Sequence, residues 1–163
     1  MRESFELERV KVRKLLESLS SKYPAWGEKR ILIDRLQGLE DSSRYWSVWM
    51  TLDHLRIVND SISQILKTLG RGKIPEGTAR TEDVKPGLEV GAEIVELYEQ
   101  SCDQLLEIAG AFLNLKTTVS FAHPWFGPLD AGGWYTLAGV HLGIHRKQIE
   151  RIMDRLSQGS AES

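Results

Sequence analysis

Cysteine is almost absent: Cys102 stands alone in 163 residues. An intrachain disulfide and a thiolate metal cage are therefore both excluded. Long apolar runs are missing as well, and nothing approaches the roughly 20 residues that span a bilayer. The opening Met1-Arg2-Glu3-Ser4-Phe5-Glu6 is too charged for the core of a signal peptide. Neither sign of charge dominates, since 21 Lys and Arg face 23 Asp and Glu for a net charge of −2. That balance argues against a dominant nucleic-acid or membrane-surface role. Strand signals are lacking too: no sustained alternation, no Asn-Gly turn and no internal repeat. A cytoplasmic location is the default expectation.

What is present is helical periodicity over a length suited to one domain. A first helix is expected from about Ser4, as N-cap, to Ser20, broken by Ser20-Ser21-Lys22-Tyr23-Pro24. Ile31, Leu32, Leu36 and Leu39 suggest an extra short helix near 28–39. The second long helix, about Ser43 to Leu69, carries Met50, His54, Val58, Ile62, Ile65 and Leu69 on one stripe. Residues 71–87 read as a long loop. A third helix spans about Leu88 to Ala109, and 115–129 is irregular, with two prolines and a glycine. Asp130 is expected to cap a last helix reaching Leu156, whose inner stripe is Trp134, Leu137, His141, His145, Gln148, Ile152 and Leu156. The result is an all-α four-helix bundle over 1–156, with a disordered tail at 157–163.

Histidine is scarce, four in the chain, and three of the four fall on inner stripes. His141 and His145 stand one turn apart, so their imidazoles share a helix face. His54 faces inward from another helix. Three buried imidazoles cost free energy unless each ring nitrogen finds a partner, and one metal ion satisfies three at once. Other metal constellations fail on spelling. Leu142 follows His141 where the zinc-protease motif needs Glu. No Glu-x-x-His occurs, as a di-iron bundle requires. A mononuclear three-histidine site remains, suited to one divalent transition metal, zinc or nickel first and iron or copper next. An open position on such an ion can lower the pKa of a bound thiol or water. Gln148, one turn after His145, is a candidate to orient a ligand, and Asp53 points away from direct ligation. His123 sits before a proline, where a loop-locking hydrogen bond is favoured over ligation. Trp134 and the Trp125-Phe126 pair are candidate pocket walls.

These residues carry a resemblance. Trp46-Ser47-Val48-Trp49-Met50-Thr51-Leu52-Asp53-His54-Leu55, the loop His123-Pro124-Trp125-Phe126-Gly127-Pro128-Leu129 and the run Trp134…His141-Leu142-Gly143-Ile144-His145-Arg146-Lys147-Gln148 together resemble the DinB superfamily. The similarity follows the element order of nearly the whole chain, but its motifs are specific only in helix two and the last fifty residues. It implies an up-down-down-up bundle with His54, His141 and His145 as the metal ligands, and His123 in the pattern without being one of the three. Relatives such as bacillithiol S-transferases and mycothiol-dependent maleylpyruvate isomerase imply metal activation of a low-molecular-weight thiol as cosubstrate. Others imply a metal-dependent hydrolase using metal-bound water, and a homodimer is a reasonable assembly. A non-catalytic metal-binding or interaction bundle is the competing expectation. Ala131-Gly132-Gly133 departs from the pattern; two glycines cost roughly 1 kcal/mol each against alanine there, which predicts a looser pocket wall.

Overall fold

The computed structural model describes residues 2–161. It contains four long helices: α1 (Arg2–Lys22), α2 (Val48–Gly70), α3 (Ile94–Gly110) and α4 (Ala131–Ala161). Their relative directions follow from which residues meet. Ser4 and Glu8 on α1 lie against Gly139 and Gly143 on α4, so those two helices run parallel. Asn59 on α2 reaches Ser101 and Cys102 on α3, while Gly70 meets Phe112 just beyond α3, so this pair is parallel as well. His54 on α2 meets His141 and His145 on α4, whereas Ser43, earlier in the chain, meets the later Gln148; α2 and α4 are antiparallel. The order is up-down-down-up, closed by the ion pairs of Arg9 on α1 with Glu99 and Asp103 on α3.

Each helix buries the face its periodicity marks, and the inner faces form one apolar core with Tyr98, Tyr135, Phe5 and Leu52 almost wholly enclosed. Two helices bury more than one stripe. In α2 every residue from Val48 to Leu55 is buried. The cause is the connecting segment 23–47, which wraps this end of the bundle. Trp49 donates its backbone N–H to Gly27 O at 3.0 Å and lays its indole on the Gly27 Cα, where a Cβ would fall 2.0 Å from the ring. In α4, Tyr135, Ala138, Leu142 and Ile149 are buried beside the stripe of Trp134, His145, Gln148 and Ile152. One stripe faces α2 and the other faces α1.

Several boundaries differ from expectation. No helix forms over 28–39; residues 29–36 adopt no regular secondary structure. Ile33 N–H donates to Arg44 O at 3.0 Å and Arg44 Nε–H donates back to Ile33 O at 2.9 Å. Ile33 is buried while Leu32 is 54% exposed, which is the alternation of a strap, not a helix stripe. Helix α1 begins before Ser4, so that residue is not its N-cap. Helix α2 starts five residues later than expected, because Ser47 is the true N-cap: its Oγ accepts from Met50 N–H at 3.1 Å. Helix α3 starts at Ile94 and not at Leu88.

A short antiparallel hairpin, β1 (Phe121–His123) and β2 (Gly127–Leu129), lies in the stretch expected to be irregular. Its strands are too short for alternation to show in the sequence. Helix α4 continues through 157–161, expected as tail, and residues 162–163 lie outside the described residues. Asp130 caps α4 as expected, its Oδ1 accepting Gly133 N–H at 2.8 Å. Leu115 O takes Gly132 N–H at 2.8 Å, so both glycine amides at this entry are fixed. No helix among the described residues is long and apolar enough to cross a membrane.

Candidate metal centre

His54, His141 and His145 come together between α2 and α4, each offering one ring nitrogen, with the three nitrogens within 4.8 Å of one another. His141 Nε2 sits 2.9 Å from His54 Nε2 and 3.1 Å from His145 Nε2. Tetrahedral coordination at ordinary zinc–nitrogen lengths needs about 3.3 Å between such donors. The two separations from His141 are therefore within a few tenths of an ångström of that spacing.

Hydrogen bonding settles which nitrogens carry protons. His54 Nδ1 lies 2.6 Å from Val84 O, and a carbonyl only accepts, so Nδ1 holds the proton. His145 Nδ1 lies 2.7 Å from Gln148 Oε1. The Gln148 amide is oriented by its other end, where Nε2–H donates to Ser43 O at 2.8 Å; His145 Nδ1 thus also holds its proton. Both Nε2 atoms then turn lone pairs toward His141 Nε2. A single proton on His141 Nε2 satisfies one of them and leaves the other facing an occupied direction. A cation at the convergence point satisfies all three at once, which is the fit expected of a metal site.

Electrostatics point the same way. Burial pushes the His54 imidazole below its usual pKa of 6.5, against the Val84 hydrogen bond and Asp53, which raise it. Burial holds His141 well below that value, helped by repulsion from His145, His54 and His123. His145 is driven down to about 3 by burial and by His54, in spite of Gln148. Three neutral imidazoles at pH 7 are competent ligands, and they add no positive charge to repel a cation.

Trp46 walls the cluster, with its ring 5.1 Å from His54 and stacked 6.2 Å from His145. Asp53 acts one layer out. Its Oδ2 accepts Gly87 N–H at 2.9 Å and its Oδ1 accepts from Arg56, so it pins the loop whose Val84 carbonyl orients His54. On its other side the cluster opens into a cavity of about 590 Å³, lined by His123, Trp134, Val58, Ile62 and Leu137 among others. Trp125 and Phe126, at the hairpin tip, border it while remaining more than half exposed.

Each residue singled out in the sequence has a defined place. His54, His141 and His145 converge. Gln148 orients His145 and does not face a ligand. His123 locks the hairpin, its Nδ1 accepting from Trp125 N–H at 3.1 Å and Phe126 N–H at 3.3 Å. Trp134 ties that hairpin to α4 by donating Nε1–H to Phe121 O at 3.1 Å. The Ser43 and Val84 carbonyls escaped sequence reading, since a backbone acceptor leaves no mark in residue type. Trp46 and Asp53 sat in plain view beside His54, but their contacts depend on how the two connecting segments return.

No curated protein matches the chain. Among solved structures it is similar to TT2238, described as a four-helix bundle protein, at 25% identity and a TM-score of 0.60. That match covers 91% of this chain and 96% of the other. The sequence profile of the DinB superfamily matches residues 4–149. With its bundle order and its converging histidines, the chain belongs to the DinB superfamily.

Proposed function

We propose that this protein is a metal-dependent enzyme acting on small molecules, of the thiol S-transferase type. The observation that carries the reading is the pair of Nε2 lone pairs aimed at His141 Nε2 on the wall of a 590 Å³ cavity. A divalent ion held by His54, His141 and His145, zinc or nickel before iron or copper, would supply Lewis acidity that lowers the pKa of a bound thiol. The chain's own contribution is positional. Val84 O and Gln148 Oε1 fix two imidazole tautomers, and Trp46 packs against His54 and His145.

A thiol starts near pKa 8.5 and ionises at neutral pH once a cation is beside it. A cavity with mainly apolar walls also suits a bulky acceptor.

Metal analysis of the purified chain tests the site. One equivalent of ion is expected, falling to a small fraction in His141→Ala. A thiol panel with an electrophilic acceptor, run against plain water, tests the reaction. Full metal content in His141→Ala would remove the ligand assignment, and turnover with water equal to that with every thiol would favour a hydrolase.

A further inference from the structure

His123 is wired in the opposite sense to the metal-facing histidines. Its Nδ1 accepts two backbone N–H groups, from Trp125 and Phe126. Amides only donate, so Nδ1 keeps its lone pair and the neutral ring carries its proton on Nε2. The ring is held in place by Phe126, Trp134 and Trp125, with centroids at 4.9, 5.4 and 5.7 Å. Ligating an ion through Nε2 would require moving that proton to Nδ1 and breaking both hairpin hydrogen bonds. The residue is thereby built as a donor and not as a fourth ligand.

Its place gives that donor a use. His123 lines the same cavity as His54, His141 and His145. Most of the cavity wall is apolar, with Val58, Ile62, Ile65, Phe121 and Leu137 in it, while the exposed carboxylates of Glu40, Glu76 and Asp83 lie at its edge. The cationic side chains at the cavity edge, Arg80 and Lys85, are both exposed, and Arg80 is already paired with Asp83. We propose that His123 is a ligand-binding residue whose Nε2–H receives an acceptor oxygen of a substrate with an apolar, preferably aromatic, body lying on this wall. The substrate class is thus an amphipathic carbonyl, carboxylate or sulfonate compound. This deepens the enzymatic reading, because it takes the cavity beside the histidines as the substrate site.

Two probes with one aromatic body test it: 1-anilinonaphthalene-8-sulfonate, which carries acceptor oxygens, and N-phenyl-1-naphthylamine, which lacks them. Fluorescence titration is run on the full chain, both metal-loaded and chelator-treated. In His123→Asn the side-chain oxygen replaces Nδ1 and preserves the hairpin lock, but no donor reaches the Nε2 position. In His123→Gln the amide replaces the Nε2 donor and the lock is lost. His123→Asn is expected to weaken the sulfonate probe about tenfold, as for a lost hydrogen bond to a charged acceptor, and to leave the neutral probe within twofold. His123→Gln is expected to keep the sulfonate probe within about threefold, while the Trp125 and Phe126 amides exchange faster with solvent. Nitrogen-15 spectra of the native imidazole should show the proton on Nε2. Equal losses for both probes in His123→Asn, no loss for either, or a proton on Nδ1 would overturn the proposal. Failure of the metal reading shows separately, as a purified chain without bound ion, and leaves the chelator-treated probe comparison intact.

Discussion

Replacing Gln148 with leucine would cut two hydrogen bonds that lie in the fully enclosed interior. Gln148 is 0% exposed, and its amide joins His145 Nδ1–H at 2.7 Å to Ser43 O at 2.8 Å. Leucine fills similar space but leaves the buried His145 Nδ1–H without a partner, costing about 1–3 kcal/mol, while Ser43 O keeps the Trp46 N–H at 3.3 Å. Set against roughly 1 kcal/mol gained from the apolar side chain, the net loss is at most about 2 kcal/mol. For a chain of this size that lowers the melting temperature by up to roughly 8 °C. The second effect falls on the metal. With its acceptor gone, His145 is free to place its proton on Nε2, the atom that must ligate. Losing such an outer partner typically weakens a metal site 10–100-fold, or about 1.4–2.7 kcal/mol. Gln148→Glu separates the two effects, because a carboxylate still accepts from Nδ1–H but cannot donate to Ser43 O. Competition titration with a chromophoric chelator should show Gln148→Glu near native affinity and Gln148→Leu weakened at least tenfold. Both variants should melt early. Native-strength metal binding by Gln148→Leu would refute the tautomer argument.

The metal-free protein should lose stability in acid before its carboxylates titrate. His54, His141 and His145 are all held below 6.5, so the unfolded chain binds more protons than the folded one beneath that pH. Their contribution is complete above pH 6.5 and is lost as pH falls through the folded values, reaching about 3 for His145. Denaturant midpoints of chelator-treated protein should drop between pH 7.5 and pH 5, above the range in which Glu99, held low by Arg13 and Arg9 against its burial, takes up protons; a flat profile there contradicts neutral buried imidazoles. Gly27→Ala should destabilise by about 1–3 kcal/mol through overpacking, since its Cβ would meet the Trp49 ring at 2.0 Å. Equilibrium unfolding in urea measures this, and an unchanged midpoint would show that the wrapped segment yields freely.

The four helices and three convergent histidines were legible because they rest on periodicity, which burial enforces over many residues. His141 and His145 are fixed to one face by their spacing alone, and His54 by its stripe. What stayed hidden depends on long-range closure. Ile31, Leu36 and Leu39 mimic a helix stripe, yet the reciprocal bonds between Ile33 and Arg44 tie that stretch to the chain just before α2. The hairpin at 121–129 is defined by three residue pairs, too few for a pattern. The second stripe of α4, with Tyr135, Ala138, Leu142 and Ile149, went unread because a helix pressed by two neighbours buries a broad arc that blurs its period.

The parallel setting of α2 and α3 constrains what this chain can lose. Two consecutive helices pointing the same way force the intervening chain to travel back along the bundle. For a helix the length of α2 that is roughly 34 Å. Such a return path cannot be shortened to a tight turn without inverting α3. Here the obligatory detour passes directly over the histidines, where Val84 and Gly87 are anchored by His54 and Asp53. A deletion in 71–93 would therefore register first as altered metal affinity, and only afterwards as a misassembled bundle. Connectivity and ligand chemistry are coupled in one segment, so mutational tolerance in this loop should track metal occupancy more closely than surface exposure.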